Sequence, residues 1–184
     1  MSVLVNNAGS TTIGRIAKAD HTKETAVVHT NVEAVVDLCT LFVAGMVERG
    51  RGAILNTAST AAFQPIPGNA VYAASKSFVL SYGRALGVEL KGTGVTVTTL
   101  CPGPVRTGFA EEAGMSDELA SKSTPTFMWV SAAAVAKAAV AALDAGRPVV
   151  IPGTPNRVLA AFSYLMPKSI VLPLLAKRHP AMHV

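Results

Sequence analysis

With 184 residues, half of them apolar, 15% charged and a mean hydropathy of +0.41, the chain holds enough hydrophobic material for one sizeable core, which excludes disorder. Sixteen Lys and Arg against eleven Asp and Glu leave a net charge of +5, but the basic residues never form a run, so there is no nucleic-acid footprint. Cys39 and Cys101 lie far apart in apolar surroundings, which fits reduced thiols in a cytoplasmic protein rather than a disulfide scaffold.

Ser2 to Val5 is a short apolar run closed by Asn6, Asn7, Ala8 and Gly9, the pattern of a buried strand meeting a turn. No basic segment or long apolar run precedes Asn6, so no signal peptide is expected. From Thr25 to Met46, Val28, Val32, Val35, Val36, Cys39, Phe42, Val43 and Met46 recur at the spacing of an amphipathic helix, ended by Gly50 and Gly52. Ala53 to Thr57 reads as a second strand, with Ser59 just past its carboxyl end and a loop at Pro65, Pro67 and Gly68. A helix follows over 70–90, with Val71, Phe78, Val79, Tyr82, Leu86 and Leu90 as its stripe and Gly92 and Gly94 beyond it.

Val95 to Leu100 is β-branched and apolar, a third strand stopped by Pro102, Gly103 and Pro104. The mixed segment 104–130, with Phe109, Met115, Phe127, Met128 and Trp129, reads as a mobile flap over a substrate. Ser131 caps a helix that runs to Ala145, and Pro148 to Ile151 forms the last strand. A terminal helix is expected over Asn156 to Met166, inside a tail at 155–184. The only membrane-like stretch is then Val158 to Ala176, which Pro167, Lys168 and Pro173 interrupt, so no transmembrane span is expected and peripheral contact with a membrane surface is left open.

Strands alternating with helices predict an α/β fold, a parallel sheet with helices packed on both faces in one domain over residues 1–184. In such sheets ligands collect beyond the carboxyl ends of the strands, where Asn6 to Gly9, Ser59 and Pro102 to Thr107 fall. Tyr72 and Lys76 lie four apart and share a helix face, where an ammonium stabilises a phenolate and lowers its pKa. That makes Tyr72 a candidate acid/base, with Ser59 thirteen residues upstream brought over the same sheet edge. Asn31 sits in the apolar stripe of the first helix, where an unpaired amide costs roughly 1–3 kcal/mol, so it must find partners. Each residue also has an ordinary reading: exposed Tyr and Lys, a structural Asn, turn residues, and a strand-ending Pro-Gly. His21, His29, His179 and His183 show no metal-ligand spacing, so no metal site is expected. Ser59 lacks the flanking glycines of a hydrolase elbow.

Taken together, these residues resemble the short-chain dehydrogenase/reductase family from Val3 to Ile151, in order and spacing. Asn6, Asn7, Ala8 and Gly9 match its Asn-Asn-Ala-Gly strand end, and Asn31, Ser59, Tyr72 and Lys76 match its four catalytic positions. The resemblance implies a Rossmann-like sheet and an NADP or NAD cofactor held by Asn7, Ala8, Gly9, Tyr72, Lys76, Pro102, Gly103, Val105 and Thr107. It also implies that Tyr72 exchanges a proton with a carbonyl or secondary-alcohol oxygen, that Ser59 orients that oxygen, and that Lys76 holds the nicotinamide ribose. Asn31 would support a proton-relaying water.

By the same resemblance, the family's first βαβαβ half, with its glycine-rich pyrophosphate turn, is expected to be lacking here, since no Gly-x-x-x-Gly-x-Gly precedes Asn6. The implied partners are a small or lipophilic carbonyl or alcohol substrate and, in a full-length enzyme, further copies of the chain through the helices bearing Asn31 and Tyr72. A second reading remains: a non-catalytic binding module that pairs with another chain through an open sheet edge.

Overall fold

The computed structural model describes residues 1–107, 109 and 124–178, the side chains of Leu174 and Arg178 excepted. Most of the expected flap, Met115 included, and the last six residues of the tail lie outside the described residues. Four strands, β1 (Val3–Asn6), β2 (Gly52–Thr57), β3 (Val95–Leu100) and β4 (Val149–Val150), form a parallel sheet in the order β1-β2-β3-β4. The crossovers between them carry α1 (His21–Val28), α2 (Ala34–Glu48), α3 (Ala70–Glu89) and α4 (Ala132–Asp144); α5 (Thr154–Leu165) and α6 (Lys168–Arg178) follow β4. Parallel neighbours need such crossovers, so the alternation seen in the sequence dictates the sheet type.

The two faces of the sheet are built differently. On one, Leu4, Ile54 and Val97 stand in register and meet Val35, Cys39 and Met46 of α2 and Val79 and Leu86 of α3. Met46, Ile54 and Val79 are wholly buried, each contributing roughly 1.5–3 kcal/mol. α3 lies so close to β3 that a Cβ on Gly83 would stand 2.2 Å from Thr99 Oγ1, a contact only glycine permits. On the other face, α4 packs Val135 and Ala139 on Leu55 and Leu100. β1 is an edge strand, and its Val3 and Val5, on the face opposite Leu4, remain 50% and 53% exposed.

Several expected boundaries shift for identifiable reasons. The first helix begins at His21 rather than Thr25, because Asp20 caps the amides of Thr22 and Lys23 ahead of the apolar repeat. It runs unbroken over His21–Glu48 but contains a π-helical turn at His29–Glu33. The wider turn rotates the preceding residues about the axis, so Val27 is buried and Val28, assigned to the stripe, is 44% exposed. Phe78 is likewise at the rim of α3, stacked on Tyr82 with ring centroids 5.7 Å apart.

β4 is shorter than expected, since only Thr99 and Leu100 offer it partners. α6 was not expected at all: Pro167 precedes its first turn, and Pro173 is accommodated inside it. The stretch 158–176 is also not the only membrane-like one. The helix over His21–Glu48 is long and apolar enough to cross a bilayer by length and composition, yet it packs Val35, Cys39 and Met46 into the core.

Candidate active site

Local backbone chemistry brings the candidate residues to the carboxyl edge of the sheet. β1 ends at Asn6, and the chain then turns outward through Asn7, Ala8 and Gly9. Asn6, Asn56 and Thr99 stand side by side in register on β1, β2 and β3, all buried, with Asn6 Nδ2 donating to Asn56 Oδ1 at 2.8 Å and to Cys39 Sγ at 3.4 Å. This polar row lies buried across the ends of the three strands, under α2 and α3. Asn7 Oδ1 accepts from the Thr57 hydroxyl at 3.2 Å, joining the ends of β1 and β2.

Asn31 sits in the π-helical turn with no exposed surface, and every partner it requires is present. Its Oδ1 accepts from Ser10 N at 2.9 Å, and its Nδ2 donates to Ser10 O and to Ser75 Oγ, both at 2.9 Å. Ser75 Oγ in turn donates to Tyr72 O at 2.8 Å. Asn31 thereby ties the loop after β1 to the first turns of α3. π-Turns are frequent at functional sites because they displace one side chain from the regular stripe.

Ser59 caps the short 3-10 helix Thr60–Phe63, accepting from Ala61 N at 3.1 Å, and its side chain lies beside the Tyr72 phenol. Lys76, only 4% exposed, donates from Nζ to Thr57 O at 2.9 Å and holds the ammonium 5.8 Å from the Tyr72 ring centroid. A Cβ built on Gly9 would lie 3.2 Å from Lys76 Nζ and 3.3 Å from Asn31 Oδ1, so the bare glycine backbone closes the same small space. Ser59, Tyr72, Lys76, Asn31 and Gly9 therefore converge at one sheet edge.

The electrostatics differ from the expectation in one respect. The Tyr72 phenol is not lowered by Lys76; burial pushes it above its ordinary value, and the neighbouring Ser59 side chain only partly offsets that. The amine itself is depressed to about 8, because burial disfavours its charge more than the nearby Cys101 thiol supports it. A buried amine whose own charge is disfavoured is a weak stabiliser of a phenolate.

Pro102 O accepts from Thr60 N at 2.9 Å, fastening the end of β3 to the Ser59 turn. Val105 pairs with Val130 in a parallel bridge, and Val130 N donates to Pro104 O at 3.0 Å, so residues 104–105 and 130 are pinned together. Thr107 and Ala8 are exposed. Phe109 brings its ring 5.8 Å from that of Tyr72, an apolar wall beside the phenol.

Gly103 has a role the sequence did not reveal. A Cβ there would fall 2.5 Å from Asn156, which is buried and donates to Met128 O and Pro152 O at 3.0 and 3.2 Å. Asn156 thus clamps the flap base, β4 and the Pro102-Gly103 turn. Nothing in its spacing marks it, and Ser75 is equally silent, being one small hydroxyl beside Lys76. A cavity of about 310 Å³ opens between Thr12 to Ala17 and Pro67 to Val71; none of Ser59, Tyr72 and Lys76 lines it.

This geometry coincides with a match to the short chain dehydrogenase model over residues 1–118. The chain belongs to the short-chain dehydrogenase family. Among family relatives it is 38% identical to ketoacyl reductase HetN of Nostoc sp. over 127 residues, covering 68% of this chain and 44% of that protein. It is 44% identical to a putative ketoacyl reductase of Streptomyces coelicolor over 112 residues, covering 60% and 43% respectively. Among solved structures, a short-chain dehydrogenase from Sphingobium yanoikuyae in complex with NADPH superposes with a TM-score of 0.76 at 26% identity, covering 96% of this chain and 65% of that one. The 3-ketoacyl-(acyl-carrier-protein) reductase of Brucella melitensis complexed with NADH gives 0.72 at 26% identity, covering 84% and 66%. The chain thus spans less than half the length of those curated relatives and about two thirds of those solved neighbours.

Proposed function

We propose that this chain carries the proton-transfer half of an NAD(P)-dependent oxidoreductase that interconverts a carbonyl and a secondary alcohol on a small or lipophilic substrate. The observation that carries this reading is the convergence of Tyr72, Lys76, Asn31 and Gly9 beside Ser59 at one sheet edge, with Lys76 Nζ bonded to Thr57 O and 5.8 Å from the Tyr72 ring centroid. The Tyr72 hydroxyl, kept protonated by its buried setting, donates its proton to the substrate oxygen in reduction and recovers one in oxidation. Ser59 donates a hydrogen bond to the same oxygen, stabilising the charge that develops there.

The residues present suit the nicotinamide-ribose end of a dinucleotide. Gly9 leaves open backbone beside the Lys76 amine, which has further hydrogens to donate, and Pro102 to Thr107 border the same edge. Asn7, Ala8, Gly9, Lys76, Val105 and Thr107 would hold that end. The cofactor, when bound, supplies or accepts the hydride. Two relatives are named ketoacyl reductases, which supports a ketoacyl thioester as the first substrate to try, and Phe109 against Tyr72 supports an apolar acyl chain.

The test is titration of the purified chain with NADPH and NADH, followed by turnover with a ketoacyl thioester and with its hydroxyl product. Weak nucleotide binding with slow, Tyr72-dependent turnover is expected, since no glycine-rich pyrophosphate turn precedes Asn6 in these residues. Nucleotide-independent behaviour, or turnover that Tyr72→Phe leaves unchanged, would overturn the reading.

One observation favours the second reading, a binding module. Val3 and Val5 of β1 are half exposed on one face of the sheet, an apolar surface suited to a partner chain. No nucleotide binding together with a stable hetero-complex would select it. Leu41 and Val88, 70% and 75% exposed on α2 and α3, support self-association through those helices in the oxidoreductase reading.

A further inference from the structure

Helix α5 is built inside out. Asn156, Ala160 and Ser163, spaced i, i+4 and i+7, form its buried face, and Ala160 joins the core cluster that holds Phe63. Val158, Phe162 and Leu165 repeat the same spacing two residues later, which sets them on the opposite side of the helix. They are 64%, 57% and 80% exposed. Leu159 and Tyr164 flank this stripe, and Ile170 of α6, reached after a 116° bend, is 51% exposed. A soluble helix of ordinary design turns such residues inward, and a contiguous apolar surface of this kind marks a contact site.

Charge identifies what covers it. No Asp or Glu follows Asp144, whereas Arg157, Lys168, Lys177 and Arg178 lie on or beside the two helices. Arg157 bonds Thr154 Oγ1, and Lys168 bonds the carbonyl oxygens of Phe63 and Ser163; these partners are neutral and leave the positive charges in place. A second copy seated symmetrically on this face would bring like charges together. An anionic lipid surface meets both demands, taking the apolar stripe into its acyl boundary and the cations at its headgroups.

We propose that α5 and the start of α6 seat the protein on an anionic membrane surface through Val158, Phe162 and Leu165, with Arg157 at the phosphates. Because the buried face of α5 packs on Thr60–Phe63, the turn that Ser59 caps, docking would hold that turn one helix away from a source of lipophilic substrate. That last clause deepens the oxidoreductase reading, while the docking itself stands apart from it.

The test is flotation of the full chain with vesicles of phosphatidylcholine alone and of phosphatidylcholine mixed with phosphatidylglycerol, at low and at high salt, without nucleotide or substrate. Binding is expected only with phosphatidylglycerol and is expected to weaken with salt. The double variant Phe162→Ser, Leu165→Ser should lose about tenfold or more in partition, and Arg157→Glu about fivefold at low salt. Circular dichroism should show both variants folded, since every altered side chain is exposed; should the double variant misfold, Arg157→Glu and the lipid dependence decide. No binding, equal binding to neutral vesicles, or binding that both variants retain would overturn the proposal. So would self-association, seen by sedimentation, that the double variant abolishes without any vesicle binding. Failure here leaves nucleotide binding and Tyr72-dependent turnover unaffected, so the two readings fall separately.

Discussion

Helices α3 and α5 treat their sequences in opposite ways. α3 buries Val79, Leu80 and Leu86 as its periodicity demands, and uses the same face to bury Ser75 and Lys76 at the sheet edge. α5 buries an asparagine, an alanine and a serine, and turns valine, phenylalanine and leucine outward. The difference teaches that hydrophobic periodicity locates the core only where the core is the sole apolar environment available. On α3 the polar residues under the core face are the chemical ones; on α5 the exposed apolar residues are.

The comparison can be broken most sharply at Tyr72. Replacing it by Phe should lower turnover about 10³-fold while leaving the melting temperature unchanged, because only the hydroxyl is lost and the ring still meets Phe109. Turnover and a thermal melt read the two effects separately.

Asn31→Leu should destabilise by about 3 kcal/mol, since it strands the Ser10 amide and carbonyl and removes the partner of Ser75. Denaturant unfolding measures it, and a cost below about 1 kcal/mol would show that the loop finds other partners.

Lys76 offers a pH test. Its amine is lowered from 10.5 to about 8 in the fold, so below pH 8 it is charged in both states and its burial penalty is fully present. Between about pH 8 and 10.5 the unfolded chain holds the extra proton, and stability rises with pH. The rise amounts to roughly 3 kcal/mol over the whole window. Lys76→Met should lack it. Above about pH 9 the raised Cys39 and Cys101 thiols, and above about pH 10 the raised Tyr72 phenol, work the other way, because the unfolded groups ionise first. The Lys76 effect is therefore read as the difference between the parent and Lys76→Met in melts from about pH 8 to pH 9.

Gly103→Ala should cost about 2 kcal/mol through its clash with Asn156. In an Asn156→Ala background the same change should cost much less, a coupling that a double-mutant cycle detects. Smallest of all, Phe162→Ser on the outward face of α5 should change stability by less than about 0.5 kcal/mol. A larger loss would mean that α5 is covered by the protein itself.

Much of this was legible before the fold. The strands at β2 and β3 are continuous apolar runs, and Tyr72 and Lys76 share a face at any helical pitch, so neither needed tertiary knowledge. Asn31 drew attention as a polar residue in an apolar stripe, and its complete set of bonds explains why it is tolerated there. The start of the first helix was missed because Asp20 caps a turn with no apolar repeat. Val28 was misassigned because a π-turn changes the helical phase without altering composition.

Local patterning along the chain is enough to give the order of strands and helices, the parallel sheet that such an order requires, and the residue types available at its carboxyl edge. Packing was needed to bring Lys76 against Thr57 and the Tyr72 ring, Asn31 onto Ser10 and Ser75, and Asn156 into the space that Gly103 leaves, and to turn α5 outward. Periodicity and capping are local, acting within a few residues. Burial, desolvation and hydrogen-bond pairing depend on which distant segments arrive beside a side chain, and that is settled only when the sheet and its helices pack.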